Sequence, residues 1–274
     1  MRIGLIGLGR IGAFHADTLA ALDRGDELVV TDPVAAAVDT VTTRIRKATA
    51  VGSPEAVLDA GVDGVVIAAT TGAHAGLLLA SARRGIPTFC EKPIAGSADE
   101  AVTVRDRLAG SGVAVRWVTW QEAVEVYAVG AVDPDAGCEF YADNGDWSSA
   151  SVLITLDDGS IGVVSNSRTN ARGYDVRLEV HGVADAVAAG LDDGLPLRAT
   201  QPGVTWPGGP PHSFFMDRLA EAFRRELATF CSVAAGGVPS PCTIEDAMGT
   251  AWIAEAATLS VTEHRPVRID EVAR

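Results

Sequence analysis

Residues 3–12, Ile3-Gly4-Leu5-Ile6-Gly7-Leu8-Gly9-Arg10-Ile11-Gly12, decide the fold of this chain. A short apolar run leads into glycines spaced G-x-G-x-x-G, and a helical pattern begins at Ile11. In this context the first glycine allows a tight turn, the second lets backbone approach a pyrophosphate, and the third lets helix and strand pack closely. The stretch therefore predicts the strand, turn and helix that open a dinucleotide-binding unit.

Asp32 completes this pattern at the end of a second predicted strand, residues 27–31. A carboxylate about twenty residues beyond the third glycine binds the ribose hydroxyls and repels a 2′-phosphate, which favours NAD over NADP. The pyrophosphate would lie at the helix N-terminus, beside Gly7, Gly9, Arg10, Ile11 and Gly12. The alternative is a glycine-rich structural turn followed by an ordinary surface aspartate.

Composition narrows the class of protein. The chain has 274 residues, 47% of them hydrophobic, and a formal net charge of −14. This charge argues against nucleic acid and anionic membranes as partners, and we expect a cytoplasmic protein because no signal-peptide pattern or membrane-spanning run is present. The four cysteines have neither metal nor disulfide spacing, so we expect reduced thiols, with Cys90 either a buried hydrophobe or a reactive group.

Two domains are predicted, and the fold class is α/β. Residues 1–115 alternate short apolar strands with helices, as in a Rossmann domain with a parallel sheet. Residues 116–274 predict a shortened α+β domain with a mainly antiparallel sheet, including strands over 123–131, 151–156, 160–165 and 175–181. Two helices are predicted there, over 214–235 and 243–263. Further elements expected in the first domain are a strand at 113–115 and a helix over 97–109.

Longer stretches resemble the Gfo/Idh/MocA oxidoreductases, particularly their inositol 2-dehydrogenase-like branch. GLIGLGRIGAFHA (4–16) and VVIAATTGAHAGLLLASARRGIPTFCEKPIA (65–95) are similar to the family's cofactor domain. SNSRTNARGYDVRLEVHG (165–182), PHSFFMDRLAEAFRRELATF (211–230) and SPCTIEDAMGTAWIAEAATLS (240–260) resemble its substrate domain. The resemblance implies NAD and a cyclitol, polyol or sugar-like alcohol as substrate.

The resemblance also exposes a gap. In the family, the lysine of the Glu-Lys-Pro tripeptide works beside a downstream aspartate and histidine on a helix, and the histidine is the acid/base. This chain has no histidine between His74 and His181, and Val113-Ala114-Val115 runs almost directly into a stretch that resembles sequence beyond the family's catalytic helix. We therefore expect that the block carrying the catalytic aspartate and histidine is deleted.

Lys92 is the catalytic candidate that remains, because it follows a strand at the sheet edge where ligands of open α/β folds bind. Its ammonium could polarise a substrate oxygen, or act as the base if burial lowered its pKa. The alternative is a surface lysine. Glu91, Thr70, Thr71 and His74 are expected in the cofactor pocket, and helix capping is the alternative for His74.

The second domain offers Arg168, Tyr174 and His212 as candidate substrate contacts, with loop structure as the alternative for each. His15, His181 and His264 are expected to be structural. No spacing of histidine, aspartate and glutamate indicates a metal site.

Three functions stay open at this point. The first is an NAD-dependent oxidoreductase with a non-standard active site. The second is a non-catalytic NAD-binding regulatory or partner protein, and the third is an enzyme that uses NAD without net redox turnover. A shortened second domain would leave sheet uncovered, so we also expect a homo-oligomer formed through that sheet.

Overall fold

The structure is a computed structural model, and it describes residues 1–23, 26–96, 118–133, 143, 145–170, 173–191 and 210–273. The chain forms two compact units. Unit 1 comprises Met1–Val129, Val152–Val164 and Arg224–Arg274, and unit 2 comprises Gly130–Ser151 and Ser165–Phe223. The predicted domain boundary between residues 115 and 116, the predicted strand at 113–115, the helix over 97–109 and Cys138 lie outside the described residues.

Unit 1 contains a five-stranded parallel sheet in the order β3-β2-β1-β4-β5. Its strands are β1 (Arg2–Ile6), β2 (Glu27–Thr31), β3 (Ala48–Ala50), β4 (Gly64–Ile67) and β5 (Thr88–Cys90). The helices between them are α1 (Arg10–Ala21), α2 (Ala35–Arg44), α3 (Pro54–Leu58) and α4 (Thr71–Arg83). This is the predicted Rossmann arrangement, with the strand order reversing between β1 and β4.

Local sequence explains most of these boundaries. Each residue of β4 is buried, as expected of a strand covered on both faces. Ser53 caps α3 by accepting a hydrogen bond from the Ala56 N–H, and Pro54 takes the first helical position. After α4 the chain turns at Gly85, whose φ of 66° is unfavourable for other residues.

The remaining strands are antiparallel wherever their register is given, which confirms the predicted fold class. A four-stranded sheet has the order β11-β6-β7-β8, and β9 pairs with β10. The strands are β6 (Ala123–Ala131), β7 (Ser149–Leu156), β8 (Ile161–Ser167), β9 (Leu178–His181), β10 (Ala186–Ala189) and β11 (Val267–Arg268). The strand predicted over 175–181 is shorter than expected, because only Leu178–His181 pairs.

The helix predicted over 214–235 is divided into α5 (Phe215–Arg218) and α6 (Ala220–Ala234). Leu219 interrupts it with φ −109° and ψ 14°. α7 (Ile244–Glu263) begins at a capping box formed by Thr243 and Asp246, and α8 (Ile269–Val272) follows β11. Leu227, Phe230 and Cys231 of α6 are buried in the same apolar core as the parallel sheet. Among the described residues, no helix is long and apolar enough to cross a membrane.

The antiparallel sheet of unit 1 has one covered and one open face. Val126 and Val152 pack with Ala256 of α7 in one apolar cluster, and Ile154 is also buried. Alternating with these positions, Tyr127, Val129, Leu153, Ile161 and Val163 are exposed, and we call this set the open sheet face. A sheet with one face on the core normally shows polar side chains to water, which these five residues do not.

Candidate cofactor and active site

The strand ends of the parallel sheet are tied together by backbone hydrogen bonds that continue just past the strands. The Gly7 N–H donates to the Thr31 carbonyl at 3.0 Å, and the Ala68 N–H donates to the Ile6 carbonyl at 2.8 Å. The Glu91 N–H donates to the Ile67 carbonyl at 2.9 Å. The segments after β1, β2, β4 and β5 therefore lie side by side at one edge of the sheet, around the point where the strand order reverses.

The three glycines of the turn after β1 differ in the space that a side chain would meet. Gly7 has φ +94°, and a Cβ there would lie 2.6 Å from the Ala68 carbonyl. A Cβ on Gly12 would lie 2.0 Å from the Gly7 oxygen. A Cβ on Gly9 would meet nothing within 4 Å, so this glycine faces open space. That is the pattern expected when the first and third glycines serve the turn and the second leaves room for a pyrophosphate.

Asp32 holds the same turn from the end of β2. Its Oδ2 accepts a hydrogen bond from the Leu8 N–H at 2.6 Å, and its Oδ1 accepts one from the Val34 N–H at 2.7 Å. Each carboxylate oxygen can accept more than one hydrogen bond, so these contacts leave capacity for ribose hydroxyls. The half-buried carboxylate is thus fixed beside the glycine turn, and the residues present fit a dinucleotide.

Two helices begin at this edge of the sheet. Arg10 is exposed at the start of α1, with Ile11 half-buried behind it, and Thr70 is exposed just before Thr71 opens α4. The free N–H groups of the α1 terminus favour an anion. The structure therefore brings the predicted cofactor contacts of β1, β2 and β4 to one crevice.

Lys92 and Glu91 follow β5 at the same edge. Lys92 is exposed, so the burial that could have made it a base is not present. Its backbone N–H donates to Glu91 Oε2 at 3.3 Å. Glu91 Oε1 lies 2.6 Å from Nε2 of His15, whose side chain is fully buried on α1. Burial by itself would raise the pKa of Glu91, but the hydrogen bond and charge of His15 and the Lys92 N–H together lower it.

His74 has contacts different from those expected. It is buried in the first turns of α4, and Nδ1 lies 2.7 Å from the Pro93 carbonyl oxygen while Nε2 lies 3.0 Å from that of Ala69. Both ring nitrogens are therefore engaged with backbone carbonyls. Neither contact is a helix cap, which requires an acceptor for free N–H groups at the N-terminus.

Two further ionisable groups surround the His15–Glu91 pair. Burial and the charge of Glu91 raise the pKa of the half-buried Cys90 thiol to about 12, which makes a thiolate nucleophile unfavourable. Although Glu226 of α6 is exposed, desolvation by the surrounding protein and the charge of Glu91 raise the pKa of its carboxyl. Sequence reasoning missed this group, because it lies far away in the chain and carries no motif.

Unit 2 contains the three candidate substrate contacts. Arg168 pairs with Asp146 at 2.7 Å, whereas the Tyr174 N–H donates to the carbonyl of His212 at 2.6 Å. Nδ1 of His212 lies 2.9 Å from Oδ2 of Asp217, the carboxylate geometry that orients an imidazole. The structure therefore brings Tyr174 and His212 together, while Arg168 has a separate ion pair.

A parallel sheet with this strand order, a glycine turn and a carboxylate at the end of β2 define a dinucleotide-binding oxidoreductase fold. Residues 1–118 match the Gfo/Idh/MocA oxidoreductase family with its NAD-binding Rossmann fold, and residues 113–187 match a C-terminal domain of that family. The chain belongs to the Gfo/Idh/MocA family, and its cofactor is NAD, as the sequence predicted.

Several relatives of this chain are named inositol dehydrogenases. A myo-inositol dehydrogenase of Streptomyces leeuwenhoekii is 31% identical over 330 residues, covering 95% of this chain and 98% of that protein. An inositol 2-dehydrogenase of Rhizobium meliloti strain 1021 is 29% identical, covering 98% and 99%. The crystal structure of a "putative myo-inositol dehydrogenase" from Sinorhizobium meliloti 1021 has 26% identity and a TM-score of 0.85 over 98% of this chain and 99% of that chain.

These alignments are longer than the present chain. The alignment with the Streptomyces protein extends over 330 residues, compared with the 274 residues of this sequence. The relative therefore carries residues that this chain lacks, which is consistent with a deleted segment.

Proposed function

We propose that this protein is an NAD-dependent oxidoreductase that acts on an inositol-like cyclitol, or on a related polyol or sugar-like alcohol. The observation that carries the proposal is the meeting of an intact NAD crevice and Lys92 at one edge of the parallel sheet. Sequence similarity to inositol dehydrogenases over nearly the whole chain supports the proposed substrate class.

The glycine turn and Asp32 would hold NAD, which would supply the hydride acceptor for the substrate carbon. Side chains of this protein must stabilise the charge on the substrate oxygen and accept its proton. The exposed Lys92 ammonium stabilises negative charge on the substrate oxygen as the hydroxyl proton leaves. Because a protonated lysine cannot accept that proton, the acid/base is a second group.

The primary experiment is NADH formation with a panel of cyclitols and polyols, including myo-inositol and scyllo-inositol. Lys47 is the chain's other lysine and serves as a matched control. We expect Lys92→Ala to reduce kcat/KM by about 100-fold or more, and Lys47→Ala to have no effect. An active enzyme that is indifferent to Lys92→Ala would remove this residue from the mechanism.

The missing family segment keeps a non-catalytic alternative in view. A regulatory or partner protein would bind NAD tightly without reducing it with any member of the panel. An enzyme that uses NAD in an internal redox cycle would convert substrate without net NADH. Product analysis alongside NADH absorbance separates these two outcomes from the proposed dehydrogenase.

We also propose that a second copy of the chain covers the open sheet face. Tyr127, Val129, Leu153, Ile161 and Val163 are exposed on three neighbouring strands. Large apolar side chains exposed on neighbouring strands of one sheet are typical of an interaction surface. Two of the five residues, Ile161 and Val163, lie on β8, which with β11 is an edge strand of this sheet and so offers backbone groups to another chain.

A further inference from the structure

Two buried histidines contact the tripeptide Glu91-Lys92-Pro93, one at each of its ends. His15 is 0% exposed and His74 is 1% exposed. The first contacts the Glu91 side chain and the second contacts the Pro93 carbonyl. Lys92, the exposed residue between them, is therefore the centre of a short segment with two fixed flanks.

The His15 contact connects this segment to the phosphate-binding helix. His15 lies on α1 three residues after Gly12, and its Nε2 is 2.6 Å from Glu91 Oε1. The other carboxylate oxygen of Glu91 accepts the Lys92 backbone N–H at 3.3 Å. A shift of α1 on cofactor binding would thus be transmitted through one side chain to the Lys92 backbone.

The His74 contact connects the segment to β4 and α4. Nδ1 is 2.7 Å from the Pro93 oxygen, and Nε2 is 3.0 Å from the oxygen of Ala69, just before α4. The ring bridges two backbone segments that are far apart in sequence.

We infer that His15 and His74 are positioning residues that fix the backbone of Lys92 between the two helices that open the NAD crevice. This inference rests on the proposed catalytic role of Lys92. Neither histidine touches the reacting atoms. A displacement of a catalytic group by about an ångström can lower a rate about 100-fold, so such anchors affect turnover without contacting substrate.

Two variants test the His15 anchor. His15→Phe keeps a ring beside Phe14 and Phe89 but removes the nitrogen that bonds Glu91. His15→Gln places an amide N–H near the position of Nε2. We expect His15→Phe to lower kcat about 10- to 100-fold with an NAD dissociation constant close to wild type, and His15→Gln to restore much of the loss.

A matched pair of amides tests the His74 anchor. The amide nitrogen of His74→Asn replaces Nδ1 and keeps the Pro93 contact, whereas that of His74→Gln replaces Nε2 and keeps the Ala69 contact. We expect Asn to retain more activity than Gln, because only Asn still holds the tripeptide. Equal losses in the two variants would assign His74 a general packing role and overturn its part in the inference.

A readout independent of turnover separates this inference from the proposed function. Reductive methylation with ¹³C-formaldehyde labels Lys92, Lys47 and the N-terminal amine, since the chain has two lysines. We expect the Lys92 signal to shift in His15→Phe and His74→Gln while the Lys47 signal stays fixed. If the wild-type protein reduces no NAD but these shifts occur, the dehydrogenase proposal fails and the anchoring stands. Unchanged Lys92 signals with unchanged kcat would overturn the anchoring itself.

Discussion

The parallel sheet and the antiparallel sheet of unit 1 differ in how much of their surface is covered. In β4 each of the four residues is buried, whereas in β8 all residues but one are exposed. The first sheet has helices on both faces, and the second packs on one face only. Among the described residues, strand β4 of the parallel sheet is therefore shielded from water, whereas the antiparallel sheet leaves large apolar side chains exposed.

The two sheets should therefore respond differently to substitution. At the cofactor site, the backbone around Gly7 and Gly12 is packed so closely that it leaves no room for an added methyl group. Substitutions that add one should therefore disrupt NAD binding. In the antiparallel sheet the exposed side chains should tolerate change in the monomer and alter association instead. Four predictions examine this difference, beginning with the largest expected effect.

Gly12→Ala should abolish NAD binding, because its Cβ would lie 2.0 Å from the Gly7 oxygen. Forcing apart this backbone contact should also lower the free energy of unfolding by about 1–3 kcal/mol. Gly9→Ala should fold like the wild type, since its Cβ meets nothing within 4 Å, yet it should weaken NAD binding by filling the space for the pyrophosphate. Titration calorimetry with NAD and urea unfolding measure both quantities.

Gly9→Ala and Gly12→Ala serve as controls for each other, because both add one methyl group to the same turn. If Gly9→Ala binds NAD as tightly as the wild type, the open space at this glycine is not where the pyrophosphate lies. If Gly12→Ala binds normally, the turn is less constrained than its contacts indicate.

Val163→Asp should convert the proposed oligomer into a monomer. Val163 is 69% exposed on the open sheet face, so the charge costs little in the monomer but would be buried in an association through that face. Val238→Asp is the matched control, because Val238 is 46% exposed in unit 1 and lies outside the strands of the antiparallel sheet. Sedimentation velocity should show a smaller species for Val163→Asp alone. A wild-type monomer at micromolar concentration would contradict the proposed association.

A feature of the fold or of the candidate site could be predicted from the sequence where neighbouring residues determine it. The turn at Gly7, the cap at Ser53 and the strand over 123–131 follow from short patterns, and the structure agrees with each. The glycine turn and the adjacent Asp32 could be predicted in this way, because both follow neighbouring strands of one parallel sheet.

The surroundings of Lys92 could not be predicted, since they come from distant segments. The sequence predicts a structural role for His15 and a cofactor or capping role for His74, but it gives no sign that both contact the tripeptide. The contact of His15 with Glu91 spans 76 positions of the chain, and no periodicity encodes it. The break at Leu219 was missed for a related reason, because apolar periodicity continues through it.

Asp32→Asn should change cofactor preference more than it changes stability. The amide can still accept a hydrogen bond from Leu8 or Val34, but it no longer repels a 2′-phosphate. We expect the ratio of NAD to NADP affinity to fall by about tenfold, which corresponds to ~1.4 kcal/mol. Dissociation constants for both cofactors measure this ratio. An unchanged ratio would mean that Asp32 serves only to hold the glycine turn.

Glu226→Gln should produce the smallest effect, a gain in stability that depends on pH. Desolvation and the charge of Glu91 raise the pKa of Glu226 in the folded state, so its ionised form destabilises the fold at neutral pH. Since the residue is exposed, the gain on removing this charge should be a few tenths of a kcal/mol. As the pH falls through the raised pKa toward the ordinary value of 4.5, the wild-type carboxyl becomes protonated and the gain should disappear. Glu91 has the opposite effect on stability, because its lowered pKa contributes stability that is lost at still lower pH.

Urea unfolding at one fixed protein concentration checks this trend, with Glu221→Gln in the first turn of α6 as the control. That control should lose stability slightly, because an acidic side chain there complements the helix dipole. A gain that persisted at acid pH would show that the charge of Glu226 is not its source.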